Sequence, residues 1–154
     1  MEVVLVDGFG IELSIKAMRL YLERSGVKGW LYECLEGVND DDACVYERID
    51  ADYAFEWGEP LYRVVDRDLG KHASWDDICS HEVKSPIKPF SRTDEILIRI
   101  LRELGQDAPG HCQLYIADIP DGIEWHIETG SDDFRECAVE GSYHYPQHWY
   151  GEPI

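Results

Sequence analysis

Apolar residues along the chain mark short strands and two clear helices. Residues 3–6 form a continuous apolar run rich in β-branched side chains, which predicts a strand buried on both faces. After a Gly-Phe-Gly turn at 8–10, apolar residues recur at helical spacing from Ser14 until Gly26, which predicts a first helix. The apolar segment 30–35 predicts the next strand. These three elements together would form a β-α-β unit.

A second helix is predicted in the last third of the chain. Ser91 or Thr93 is the expected cap, and Asp94 lies in the first turn, where the helix dipole favours anions. Apolar residues then recur at helical spacing as far as Leu104, and Gly105 ends the helix.

The C-terminal third predicts three strands, at 112–118, 123–128 and 134–140, with turns at 120–122 and 130–133. In the second of these strands apolar residues alternate with charged ones, so one face is expected in the core and the other in water.

The pattern as a whole predicts one α+β domain spanning 1–154. We expect a mixed sheet of about six strands, two main helices and a C-terminal antiparallel meander. Residues 61–65 supply a further strand, and 66–91 shows only a weak pattern. Residues 36–60 are an acidic, insertion-like segment anchored by a few aromatic side chains.

The balance of charge limits the possible partners. The 154 residues include 32 Asp plus Glu against 14 Lys plus Arg, a net charge of −18. Nucleic acids and anionic membranes would repel such a chain, so direct binding to either is not expected. A disordered acidic tail is also excluded, because the chain carries five Trp, nine Tyr and four Phe.

Three features of the sequence indicate the cellular compartment of the protein. No apolar run approaches the roughly 20 residues of a membrane span, and no basic segment precedes the first apolar run. The five cysteines are odd in number and widely spaced, which favours reduced thiols over a disulfide framework. A cytoplasmic protein is therefore expected.

Three segments carry a family resemblance. They are the opening strand with Gly8-Phe9-Gly10 before Leu13-Ser14, the helix from Arg92-Thr93-Asp94 to Leu104-Gly105, and the run Ile119-Pro120-Asp121-Gly122-Ile123-Glu124-Trp125-His126-Ile127-Glu128. They resemble a group of small, mostly uncharacterised proteins encoded by tailed phages and prophages. The resemblance covers about half the chain, omits 36–90, and implies an accessory protein acting inside a bacterial cell. It brings no catalytic residues.

Candidate sites for ligands and metals are weakly specified. The turn at 8–10 resembles a phosphate cradle, but it lacks the third glycine of a dinucleotide fingerprint and the Lys-Ser/Thr pair of a phosphate-binding loop. A tight turn that needs positive φ explains it more simply. No cofactor is expected.

Zinc ligands would have to come from histidines and cysteines that form no close set of three or four. The candidates are Cys79, His81, His111, Cys112, His144 and His148. Asp40-Asp41-Asp42 lacks the spacing and the closing Glu of a calcium loop, so a solvated turn is favoured. No metal site and no nucleophile activated by a neighbouring base are expected, and an enzyme is not favoured.

The distribution of the acids suggests an interaction surface. Acidic residues dominate 33–59 and 118–140, and −18 exceeds the ~2–8 charges that keep a small domain soluble. We interpret the first stretch as a face that mimics nucleic acid and occupies the groove of a basic, nucleic-acid-handling host protein such as a defence factor. The residues expected to bind this partner are Asp40, Asp41, Asp42, Glu47, Asp50, Asp52, Tyr53, Phe55, Glu56 and Trp57.

Two other functions remain open. A binder or sponge of a nucleotide signal would use the turn at 8–10, basic residues of the helices and the C-terminal aromatics. A small metal-dependent hydrolase would pair carboxylates with His81, His144 or His148. The aromatic tail is also suited to a homodimer interface, so the oligomeric state is open.

Overall fold

The computed structural model describes residues 1–8, 10–35, 45–51, 58–84, 92–129, 135–140, 149–150 and 152–153. The chain divides into two compact units. The first unit comprises 1–21 and 89–154, and the second comprises 22–88. The prediction of a single domain stays a prediction.

The elements of the described residues follow one another in this order: β1 (Glu2–Asp7), α1 (Ile15–Ser25), β2 (Trp30–Cys34), β3 (Val45–Arg48), β4 (Tyr62–Val65), β5 (His72–Ser74), α2 (Trp75–His81), α3 (Glu95–Leu104), a 3-10 turn (Gly105–Asp107), β6 (Gln113–Asp118), β7 (Trp125–Thr129), β8 (Glu136–Glu140), β9 (Trp149–Tyr150) and β10 (Glu152–Pro153). No helix among the described residues has the length and apolar character needed to cross a membrane.

The strands of the described residues form three antiparallel sheets, in the orders β1-β6-β10, β4-β2-β3-β5 and β7-β8-β9. The α+β class is therefore confirmed, but the single mixed sheet of about six strands is wrong. Of the three strands predicted to form the C-terminal meander, the second and third pair as β7 and β8, whereas the first, β6, pairs with β1 in another sheet. The predicted β-α-β unit is also wrong, because β1 and β2 lie in different sheets.

Burial of β1 on both faces was predicted correctly, but the sheet that achieves it is antiparallel. β1 pairs along its whole length with β6. Val3 and Leu5 enter a core that includes Ala138 of β8, with Trp125 and Ile127 of β7 packed against it. α3 also packs against β1. A strand covered on both sides is continuously apolar whether its neighbours run parallel or antiparallel, so the pattern alone did not determine strand direction.

The two predicted helices are confirmed close to their expected limits, and one cap is corrected. The N-cap of α3 is Asp94, not Ser91 or Thr93. Its Oδ1 accepts hydrogen bonds from the backbone N–H groups of Ile96 and Leu97, at 2.9 and 3.4 Å. The phenol of Tyr21 donates to the other oxygen, Oδ2, at 2.6 Å. Both carboxylate oxygens of the cap are thus occupied.

Replacing Tyr21 with phenylalanine is expected to reduce the free energy of unfolding by about 1–2 kcal/mol at pH 7, because the Tyr21–Asp94 bond is lost. Burial, followed by the hydrogen bond to Asp94, raises the pKa of Tyr21 to about 12. Between pH 10 and 12 the unfolded chain therefore ionises first, and this part of the stability is progressively lost. Urea unfolding of both proteins from pH 7 to 11 measures the effect. A difference that widened above pH 10 would contradict it.

The second unit contains elements that the sequence did not predict. β3 lies inside the segment that was predicted to be an acidic loop, and β5 and α2 lie inside 66–91, where the pattern was weak. These elements are three to seven residues long, too short for a periodic signal. The core of the unit consists of Tyr32, Tyr46, Val65, Ala73 and Ile78.

Candidate functional site

Four side chains form a row across one face of the second unit's sheet. Glu33 of β2 lies directly opposite Glu47 of β3. On the far side of Glu33 is Tyr62 of β4, and on the far side of Glu47 is His72 of β5. Residues that are directly opposite in an antiparallel pair project to the same face, so we call these four residues the cross-sheet row.

The two carboxylates at the centre of the row are close neighbours. Backbone hydrogen bonds flank them on both sides, from Leu35 N–H to the Val45 carbonyl at 2.9 Å and from Ile49 N–H to the Leu31 carbonyl at 2.8 Å. Directly opposite residues have Cβ atoms about 4.5–5.5 Å apart. Like charges at this separation destabilise a sheet unless a cation joins them.

Glu33 is the more buried of the pair. The residue is only 7% exposed. Within the described ranges, no hydrogen bond or ion pair reaches its carboxylate. The Glu47 side chain is 22% exposed, and its Oε1 lies 3.8 Å from Nε2 of His72, an ion pair only when that imidazole is protonated. No buried side-chain oxygen or nitrogen among the described residues lacks a hydrogen-bond partner, so the unpaired carboxylate oxygens of Glu33 reach solvent.

The arginines of the same sheet lie on its opposite face. Arg48 and Arg63 are both directly opposite Tyr32, whose side chain belongs to the core against α2. Arg63 donates to Glu82 at 2.8 Å, and its guanidinium lies 5.0 Å from the ring centroid of Trp75. Neither guanidinium can therefore neutralise the cross-sheet row without leaving its own partners.

Arg48 is held by two carboxylates. Its Nε donates to Asp50 and its Nη1 to Asp68, both at 2.8 Å. A hydrogen bond from the Gly70 N–H, followed by the one from Arg48, lowers the pKa of Asp68. Tyr32 completes this network, since its phenol donates to the Gly70 carbonyl at 2.6 Å and accepts from the Leu69 N–H at 3.0 Å.

The predicted partner-binding residues are described in part. Glu47 lies in the cross-sheet row, whereas Asp50 is engaged by Arg48. The other eight lie outside the described residues: Asp40, Asp41, Asp42, Asp52, Tyr53, Phe55, Glu56 and Trp57.

Glu33 was not singled out from the sequence. Its signal was present, because it is the only charged residue in the apolar run 30–35. A charge that interrupts a buried strand is rarely incidental.

The second acidic stretch, 118–140, belongs to the first unit, and several of its carboxylates have internal partners. Glu136 pairs with Arg92, and Glu128 Oε1 lies 2.7 Å from Nε2 of His126. The side chains of His126 and Glu128 are only 15% and 22% exposed. The prediction that this face of β7 is in water is therefore wrong, because it is partly covered.

Gly8, the first glycine of the Gly-Phe-Gly segment, packs closely against Cys112. Gly8 has φ +148°, and a Cβ placed on it would lie 3.1 Å from the Cβ of Cys112. The thiol of Cys112 donates to the Glu12 carbonyl at 3.3 Å, and burial raises its pKa. A thiol held in this way is a poor nucleophile. Among the described residues, no group of three His, Cys, Asp or Glu side chains is placed to hold a metal ion.

A groove of about 700 Å³ lies on the first unit, alongside α3. Its charges are of both signs, and the Arg102 guanidinium pairs with Glu2 within it. The groove therefore offers no concentrated positive charge to an anionic ligand. Its lining residues are Met1, Glu2, Thr93, Glu95, Ile98, Arg99, Arg102 and Glu103.

Comparison with protein-family models, with curated proteins and with solved structures finds no match to this chain.

Proposed function

We propose that this protein is a non-catalytic accessory protein that inhibits a basic, nucleic-acid-handling protein by occupying its groove with an acidic face. The observation that carries the proposal is the cross-sheet row, in which two adjacent carboxylates have no arginine or lysine partner among the described residues. A charge arrangement that is unfavourable in the free protein is favourable once a cationic surface covers it.

The sequence around the row strengthens the proposal. The segment 36–44 connects β2 to β3, the two strands that carry Glu33 and Glu47, and it contains Asp40-Asp41-Asp42. The net charge of −18 would steer the chain towards a basic partner and speed their association. The resemblance to phage and prophage proteins supports a bacterial host as the place where this partner is found.

Reversing Asp40, Asp41 and Asp42 to lysine is expected to slow association with the partner by about 10-fold or more at low salt, since electrostatic steering is lost. Proteins captured by the wild-type chain from a nuclease-treated bacterial lysate are eluted with double-stranded DNA and identified. The association rate of the purified partner is then measured with both chains.

A matched control tests whether the position of the reversed charges matters or only the total charge of the chain. Reversing the exposed Glu23, Asp107 and Glu124 to lysine changes the net charge by the same amount elsewhere on the chain. The control should associate clearly faster than the Asp40–Asp42 variant. Equal rates for the two variants, or a partner that DNA does not displace, would count against the proposal.

A further inference from the structure

We propose that the groove beside α3 is a separate binding site, which takes a free dipeptide by its two charged ends. The ammonium group of the ligand binds Glu95, and its carboxylate binds Arg99. The groove lies on the first unit and has a volume of about 700 Å³, within the usual range for pockets that hold small molecules. This inference does not depend on the cross-sheet row or on the proposed function.

Glu95 and Arg99 are unpaired opposite charges in the lining of this groove. Both residues are exposed, and among the described residues neither side chain has an ion-pair or hydrogen-bond partner. They are four residues apart on α3, a spacing at which Glu and Arg stabilise a helix by pairing with each other. Since they do not pair in this structure, both charges are available to a ligand.

The other guanidinium of the groove is already engaged. Arg102 Nε donates to Glu2 Oε1 at 2.9 Å, and Arg102 Nη2 donates to the same oxygen. A ligand with only negative charge would therefore meet one available guanidinium and three carboxylates, those of Glu2, Glu95 and Glu103. A ligand that carries both charges fits this lining better than a simple anion or a simple cation.

The spacing of the two available charges selects the length of the ligand. Four residues of α-helix advance by about 6 Å along the helix axis. The ends of an extended dipeptide are about 7 Å apart, whereas those of a free amino acid are about 3.5 Å apart and those of a tripeptide about 10 Å. Of the three, the dipeptide matches the distance from Glu95 to Arg99 most closely.

The chemistry of the lining supports both contacts. A guanidinium binds a carboxylate through two parallel hydrogen bonds. The hydroxyl of Thr93, which also lines the groove, can accept a hydrogen bond from the same ammonium group as Glu95. Met1, which is 46% exposed, and Ile98 supply apolar surface for the side chains of the ligand.

The test titrates the full chain with alanyl-leucine and follows the backbone amide signals of α3 by NMR. We expect a saturable shift of the signals from residues 93–103. N-acetyl-alanyl-leucine lacks the ammonium group and alanyl-leucine amide lacks the carboxylate, so each should bind about 5-fold more weakly or worse. Free leucine and alanyl-alanyl-leucine should be weaker by about the same factor, because the spacing of their charges does not match.

Variants assign each charged end of the ligand to its residue. Glu95→Gln should weaken the binding of alanyl-leucine about 5-fold but leave that of the acetylated form unchanged, because that form already lacks the contact. Arg99→Gln should act in the same way on alanyl-leucine and its amide. The matched controls Glu124→Gln and Lys16→Gln remove the same charges at exposed positions of the first unit and should leave binding unchanged.

Several results would overturn the proposal. They are the lack of a saturable shift with alanyl-leucine, equal binding of its acetylated or amidated form, and unchanged binding by the two α3 variants. Free leucine or the tripeptide binding as tightly as alanyl-leucine would show that the groove does not select a dipeptide. The proposed function is tested separately, by association with the basic partner, so either proposal can fail while the other stands.

Discussion

Replacing Arg92 with methionine is expected to lower the stability of the first unit by about 3 kcal/mol. In the wild type the guanidinium forms two parallel hydrogen bonds with Glu136, at 2.5 and 2.8 Å, and donates a third to the Val4 carbonyl at 3.2 Å. The Glu136 side chain is only 14% exposed. Methionine keeps much of the aliphatic volume but leaves the Glu136 carboxylate partly buried with no cation. Breaking an ion pair is costly because it leaves such an uncompensated charge.

A second substitution isolates the cause of that loss. Glu136 also accepts a hydrogen bond from the Val6 N–H at 3.2 Å. Glutamine at 136 keeps an acceptor for this bond and removes the charge, so Arg92→Met with Glu136→Gln should recover about half of the lost stability. Urea unfolding, followed by hydrogen exchange of β1 and β8, measures both variants.

The control for this experiment is Arg99→Met. Arg99 lies on the exposed side of α3, and its replacement by methionine removes the same positive charge. Its cost should stay within about 0.5 kcal/mol. A cost below about 1 kcal/mol for Arg92→Met, or a double variant less stable than the single one, would show that the Glu136 carboxylate does not need the Arg92 cation.

The part of the fold that could be predicted from the sequence is the part with long periodic signals. α3 repeats its apolar positions over ten residues and ends at a glycine, so its position followed directly. β1 showed its burial but not its partner, because register and direction depend on residues more than a hundred positions away in β6. Such long-range pairing leaves no local mark.

The candidate site shares only Glu47 with the residues that the sequence predicted to bind a partner, and that prediction stays a prediction. The excess of acids in 33–59 pointed to Glu47, yet density of charge did not distinguish it from Asp50, which an internal arginine engages. That distinction depends on the position of each residue, because Glu47 lies within β3 whereas Asp50 lies beyond its end, beside Arg48. β3 itself, only four residues long, was not predicted. Glu33 was overlooked because 30–35 was interpreted only as a strand, and the acid inside it was counted with the acids of 33–59 without a role of its own.

One face of the sheet that carries the cross-sheet row packs against α2, a helix of seven residues. Ile78 is fully buried, whereas the other residues of α2 are at least partly exposed. Ile78 packs in the core with Tyr32 and Tyr46. We therefore expect Ile78→Ala to lower the stability of the second unit by about 3 kcal/mol, from lost transfer energy and the cavity left behind. The faces of β2 and β3 turned away from the row would lose their support together.

Hydrogen exchange of β2 and β3 is the direct measurement, because faster exchange there reports opening of this sheet. Asp76→Ala, at an exposed position of the same helix, is the control and should cost no more than about 0.5 kcal/mol. If β2 and β3 of Ile78→Ala kept the protection that they have in the wild type, the packing of α2 would not be what stabilises this sheet.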